Sequence, residues 1–268
     1  MIEARTMSIT FYKYQGAGND FVIIDDRNEE FNRSNKELVK FLCDRRFGVG
    51  GDGLMLLRNK KGVDFEMIYY NSDGTEASMC GNGGRCLVAF AKQIGVIGDC
   101  CSFIAVDGLH DADVIQTEEG EWVSLKMIDV PNIEKGEGFV FMNTGSPHYV
   151  SFAQDLNNLA LIEEAQKVRY NERFKVEGTN VNYVNIENGV LNIRTYERGV
   201  EDETLACGTG VTAAVLTAHV TGAFEGSELN VKAQGGNLKV KFETAEVGYK
   251  NIWLQGPAKF VFKGTIDV

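Results

Sequence analysis

The pattern Glu-x3-Cys-Gly-x-Gly occurs twice in this chain, as Glu76–Gly83 and again as Glu203–Gly210. Cys80 and Cys207 stand 127 residues apart, close to half of the 268-residue length. Such a repeat calls for two similar halves, each opening a helix at one cysteine. The likeness extends upstream: a strand ending near a tyrosine (Tyr70, Tyr196) leads through an acidic turn to the cysteine, and the two turns differ by one residue in length. Both following segments, Leu87–Ile94 and Val211–Ala218, read as helices apolar nearly all round, which implies helices enclosed by sheet.

The flanking patterns are mostly strands. Ile9–Tyr14 alternates, the polar turn Gly16–Asp20 follows, and Phe21–Asp25 is a compact apolar run. Ser34 is placed to cap a helix to about Arg46, with Leu38, Phe41 and Leu42 on one face. Leu54–Leu57, Asp64–Tyr70 and stretches near 101–105, 112–116 and 121–128 are strand candidates. The second half repeats the theme with strands Phe139–Met142 and Tyr149–Phe152, a helix over Leu159–Val168, and strands Val181–Val184 and Val190–Tyr196. Four strand-like runs close the chain. The expected fold is α/β (α+β): two pseudo-symmetric domains, each a mostly antiparallel sheet wrapped around a buried helix. Pro131–Gly138 is the expected boundary, giving halves 1–130 and 131–257.

Charge and composition exclude several classes. The net charge of −11 leaves no basic stripe for nucleic acid. No apolar run reaches the length of a membrane span, and the N-terminus lacks an apolar signal core, so a cytoplasmic protein is expected. Met7 is a candidate start, with the first six residues an upstream extension. Six cysteines (43, 80, 86, 100, 101, 207) are too sparse for a disulfide framework, and neither their spacing nor the three histidines suggest a metal site. Gly48–Gly53 matches G-x-G-x-x-G, but it follows a helix and precedes a strand, the reverse of the dinucleotide-binding context.

A cysteine at a helix start has a defined chemistry. Unpaired N–H groups and the helix dipole favour an anion there and ease thiol ionisation. Two such starts facing one small molecule could hold its carboxylate between them, with one sulfur on each side of the α-carbon. One thiolate would remove the α-proton while the opposite thiol delivers one to the other face. No cofactor is needed.

The matching segments identify a resemblance. Gly16-Ala17-Gly18-Asn19-Asp20-Phe21, Asn71-Ser72-Asp73-Gly74, Met79–Cys86, Pro147-His148, Tyr196-Glu197-Arg198-Gly199 and Ala206–Gly210 together resemble the diaminopimelate epimerase family over essentially the whole chain. Proline racemases share the two-cysteine logic but usually carry His where this chain has Asn82. The resemblance implies cofactor-independent inversion between L,L- and meso-diaminopimelate, in lysine and peptidoglycan precursor synthesis, with Cys80 and Cys207 as the acid/base thiols. It implies that Gly81, Asn82, Gly208 and Thr209 hold the reacting carboxylate, and that Asn19 belongs to the site. Asn71, Asn180 and Arg198 resemble the residues of the distal end, where an arginine fork can bind a carboxylate bidentately. Glu197 resembles the acceptor of an amino group, and His148 a histidine that tunes the thiols. It also implies a cleft between the domains and a last strand, about 258–268, returning to the first.

Two positions depart from some relatives: Ser146 stands where Asn precedes Pro-His, and Gly53 where Gln follows the Gly-x-Gly-x-Asp run. Both make the distal contacts less complete. A racemase or dehydratase of another amino or imino acid on the same fold remains open, though Arg198 argues for a second carboxylate. So does a redox switch in which Cys80 and Cys207 form a reversible disulfide. A homodimer is one assembly the sequence leaves open.

Overall fold

The computed structural model describes residues 8–77 and 79–268, so the question of Met7 as the start, and Ser78 of the first repeat, lie outside the described residues. The chain divides into two compact units, Met1–Val123 with Ala258–Val268, and Ser124–Pro257.

The elements in order begin with β1 (Ser8–Gly16), β2 (Asn19–Asp25), α1 (Lys36–Cys43), β3 (Gly53–Arg58), β4 (Phe65–Asn71), α2 (Gly81–Gln93), β5 (Cys100–Ala105), β6 (Gly108–Thr117) and β7 (Gly120–Lys126). Then come β8 (Ile133–Gly136), β9 (Phe139–Asn143), β10 (Pro147–Phe152), α3 (Leu161–Arg169), β11 (Asn180–Glu187), β12 (Val190–Glu197), β13 (Asp202–Thr204), α4 (Gly208–Val220), β14 (Glu228–Ala233), β15 (Gly236–Thr244), β16 (Tyr249–Pro257) and β17 (Lys259–Asp267).

In the first unit, β1 lies between β17 and β2, both antiparallel to it. β3 runs parallel to β2, β4 antiparallel to β3, β5 parallel to β4, and β6 antiparallel to β5. The central strands are buried on both faces, which is why Phe21–Ile24 and Leu54–Leu57 read as unbroken apolar runs. Val22, Ile24, Leu54 and Leu56 pack with Val39 and Leu42 of α1. On the other face Tyr12 and Tyr14 meet Phe90 of α2. Ala17 and Gly18, both left-handed, make the turn that joins β1 to β2. α1 is shorter than the sequence suggests. Asn35, not Ser34, caps it by accepting the Leu38 N–H, and Phe41 is partly exposed.

The second unit repeats this order. β9 pairs antiparallel with β8 and β10, β11 runs parallel to β10, and β12 is antiparallel to β11. β14 is parallel to β12, followed by antiparallel β15 and β16. α3 covers one face, where Ala165 packs on Val181 and Tyr196, as α1 does in the first unit. α4 packs on strands from β9 to β16. It is apolar all round, as expected. α2 is not: Asn82 and Arg85 are buried within it.

Candidate active site

Each helix begins at its cysteine. Cys80 and Cys207 are extended N-cap residues, and neither side chain caps the helix. The first intrahelical bonds are Gly84 N–H to the Cys80 carbonyl and Val211 N–H to the Cys207 carbonyl. The amides ahead of them point along the axis without partners inside the helix. The second glycine of each motif serves close packing on the sheet. A Cβ at Gly83 would lie 3.1 Å from Met55 Sδ, and one at Gly210 would lie 2.6 Å from Asn182 Oδ1.

The glutamates of the repeat also have a clear role. Tyr70 faces Glu76, and Tyr196 faces Glu203 across the corresponding turn. Arg33 bonds both oxygens of Glu76 at 3.2 Å, and Arg194 holds Glu203 with bonds of 2.7 and 2.8 Å. Arg194 also donates to the Leu156 and Leu159 carbonyls. Both glutamates therefore tie down the turn that delivers the cysteine.

In the first unit, Asn19 at the start of β2 is the hub. Its Oδ1 lies 3.7 Å from Cys80 Sγ and accepts from Asn82 Nδ2 at 3.4 Å. Its Nδ2 donates to Asp52 Oδ2 at 2.5 Å. Arg45 bridges Asp52 and Asp20, and Lys13 reaches Asp20 and the Gly50 carbonyl. The Gly48–Gly53 loop is thus braced by ion pairs. Together with Arg45, Lys13 holds the Asp20 carboxyl well below its usual range despite partial burial. Asn71 does not join this group: its Nδ2 faces Thr75 Oγ1 at 3.4 Å, closing the turn after β4. Gly53, paired with Asn71 across the sheet, has no room for a side chain. A Cβ there would sit 2.5 Å from the Tyr69 ring and 2.6 Å from the Tyr70 carbonyl oxygen. Tyr69 occupies that space.

In the second unit a continuous chain runs from the sheet to the thiol. His148 on β10 is fully buried. Its Nε2 lies 2.8 Å from Thr209 Oγ1, which in turn lies 3.4 Å from Cys207 Sγ. Asn182 Nδ2 faces His148 Nδ1 at 3.1 Å and also donates to the Tyr149 carbonyl. That donor assigns Nδ1 as acceptor and places the ring proton on Nε2, donated to Thr209. Burial pushes His148 down to about 3, and the Arg198 charge acts in the same direction, so the ring is neutral near pH 7. Asn180 Nδ2 approaches Nε2 at 3.3 Å, while its Oδ1 accepts the Arg198 N–H at 2.8 Å. Arg198 is exposed, with one guanidinium nitrogen donating to the Glu177 carbonyl. Glu197 is raised by burial and accepts from Thr204 Oγ1 at 3.0 Å.

Of the residues expected from sequence, Asn19, Cys80 and Asn82 come together in one unit, and His148, Asn180, Thr209 and Cys207 in the other. Asn182, Arg85 and Tyr69 were not anticipated. Asn182 was legible in principle: two asparagines alternate in an otherwise apolar strand, Asn180-Val181-Asn182-Tyr183. Arg85 likewise interrupts an apolar helix.

Comparison with known proteins gives a consistent result. The family model described as diaminopimelate epimerase matches residues 11–121 and 140–261. The diaminopimelate epimerase of Flavobacterium psychrophilum is 49% identical over 256 residues, covering 95% of this chain and 99% of that protein. That of Chlorobaculum tepidum is 41% identical, covering 94% and 99%. Among solved structures, a Bacillus anthracis phenazine biosynthesis protein of the PhzF family superposes with a TM-score of 0.76 at 14% identity, covering 97% of this chain and 99% of that one. A hydroxyproline epimerase from Agrobacterium vitis gives 0.71 at 15% identity, covering 99% and 93%. These last two likenesses concern the fold alone.

Proposed function

The chain belongs to the diaminopimelate epimerase family, and on that premise we propose that it interconverts L,L- and meso-diaminopimelate, with Cys80 and Cys207 exchanging the α-proton. The observation that carries this reading is the duplicated half-site: each unit presents one thiol at an extended, uncapped helix start, with the turn before it fixed by an arginine–glutamate pair.

The chemistry follows from the parts. One sulfur, as thiolate, takes the α-proton and becomes a thiol. The other gives its proton to the opposite face of the α-carbon and becomes the thiolate. Between these events negative charge spreads onto the reacting carboxylate, where amides at Gly81, Asn82, Gly208 and Thr209 would stabilise it. Arg198 keeps nitrogens beyond the one that serves Glu177, which suits a distal carboxylate. Glu197 and Asn180 suit the distal amino group, and Asn71 the same end of the substrate. His148 acts through Thr209 and never needs a charge. No cofactor enters this scheme. The product feeds lysine and peptidoglycan precursor synthesis.

No described helix is long and apolar enough to cross a membrane. The six thiols are all free, which fits a reducing, cytoplasmic setting.

The test is incubation with L,L-diaminopimelate in heavy water under reductant, following the α-proton by NMR and the stereoisomers by chiral chromatography. Deuterium at the α-carbon with meso product, lost in Cys80→Ala and in Cys207→Ala, is the expected result. A folded, reduced protein that exchanges nothing would reject the reading.

A further inference from the structure

The two thiols are chemically alike, but their surroundings are not. Arg85, one turn inside α2, is fully buried. Its side chain runs back toward the helix start, as helical side chains do. Nη2 donates to Asn82 Oδ1 at 2.8 Å and Nη1 to the Gly81 carbonyl at 3.4 Å, while Nε has no partner. Among the described residues no carboxylate pairs with it. A buried guanidinium with only neutral acceptors is costly unless an anion lies nearby.

Several charged groups on the elements packed against α2 have partners of their own. Lys13 of β1 pairs with Asp20 of β2, and Arg45 bridges Asp20 to Asp52. Arg58 of β3 pairs with Asp26. Asp111 of β6 accepts the Ser102 hydroxyl, and Lys263 of β17 lies over the Tyr12 ring. Arg85 interacts electrostatically with two thiols, Cys86 and Cys80. Cys86 is fully buried and pushed up to about 12 by that burial, which makes it a neutral thiol. Cys80 is half-buried at the open end of the helix.

We propose that Arg85 is a positioning charge that makes Cys80 the resting thiolate, leaving Cys207 as the resting thiol. At Cys207 the hydrogen-bond chain in view runs through neutral groups, the Thr209 hydroxyl and behind it an uncharged His148. Asn19 Oδ1 acts the other way at Cys80, since it can accept only from the thiol form. That contact is long, neutral and shared with Asn82, and the full charge of Arg85, which bonds the carbonyl of the next residue Gly81, outweighs it. The same arginine bonds Asn82, whose Nδ2 reaches Asn19, so it also orders the first helical turn.

The proposal rests on both thiols being the acid/base pair, but its test needs no substrate. The full chain, kept reduced by a phosphine, is pulsed with iodoacetamide from pH 5 to 10, and Cys80 and Cys207 are quantified by peptide mass spectrometry. Cys80 is expected to have the lower midpoint. Arg85→Met is expected to raise the Cys80 midpoint by about 1–2 pH units and to leave that of Cys207 in place. Arg85→Lys, which keeps the charge, is expected to restore most of the difference. A merely structural arginine would not give this charge-dependent pattern. Equal midpoints, or a lower one at Cys207, overturn the proposal, as does a Cys80 midpoint unmoved in folded Arg85→Met. If that variant does not fold, the wild-type order decides alone. Failure of the exchange assay with this order intact would reject the epimerase reading and leave the Arg85–Cys80 pairing standing.

Discussion

Replacing Thr209 with valine isolates the link between His148 and Cys207. Valine keeps the shape of threonine and the backbone of the α4 start, including the carbonyl that accepts from Thr144 Oγ1 at 2.8 Å. It removes the acceptor of the His148 Nε2 proton, 2.8 Å away. The ring cannot recover by changing tautomer. A proton moved to Nδ1 would meet the Asn182 N–H2 group, whose oxygen is pinned by the Thr195 hydroxyl. With His148 fully buried, one orphaned donor should cost about 1–3 kcal/mol. At about 2–4 °C per kcal/mol, calorimetry should show a melting transition roughly 2–12 °C lower. Cys207 loses its hydroxyl partner as well, so kcat should fall about tenfold or more, the scale of one hydrogen bond to a group that becomes charged. Thr209→Ser should recover both quantities. An unchanged melting temperature in Thr209→Val would refute the hydrogen-bond chain as drawn. Normal stability and turnover together would remove any role for it.

Two further outcomes follow from the same geometry. Because burial holds folded His148 at about 3, below its usual 6.5, the unfolded state binds a proton first as pH falls. Stability from this group is complete above about pH 6.5 and is lost between there and pH 3, amounting to about 2 kcal/mol by pH 5. Urea unfolding at pH 7 and pH 5 should show that loss, and His148→Asn should remove it; a drop unaltered in the variant would assign it elsewhere. Gly53→Ala should destabilise the first unit by about 1–3 kcal/mol, because its Cβ meets the Tyr70 carbonyl, which cannot turn away as the Tyr69 ring can. Retained stability in Gly53→Ala/Tyr69→Ala would show that the ring alone sets the limit.

The sequence by itself determined what is local or repeated. Cys80 and Cys207 at helix starts, the turn glycines and the strand periods depend on near neighbours, and two copies in one chain make the duplication visible. Only the tertiary structure decided which partner each polar group has. Asn35 caps α1 where Ser34 was expected, since both residues are good caps and chain geometry chooses between them. Asn71 closes its own turn through Thr75, while Asn182, not singled out, orients His148. Arg85 reads as an ordinary charge in sequence. That none of the described carboxylates pairs with it is visible only in the folded chain, where Asp20, Asp52 and Asp26 pair instead with Lys13, Arg45 and Arg58 across 7 to 32 residues of chain. Local propensity is written in spacing, but the compensation of a buried charge is set by every group the fold brings around it, and no short window of sequence contains them all.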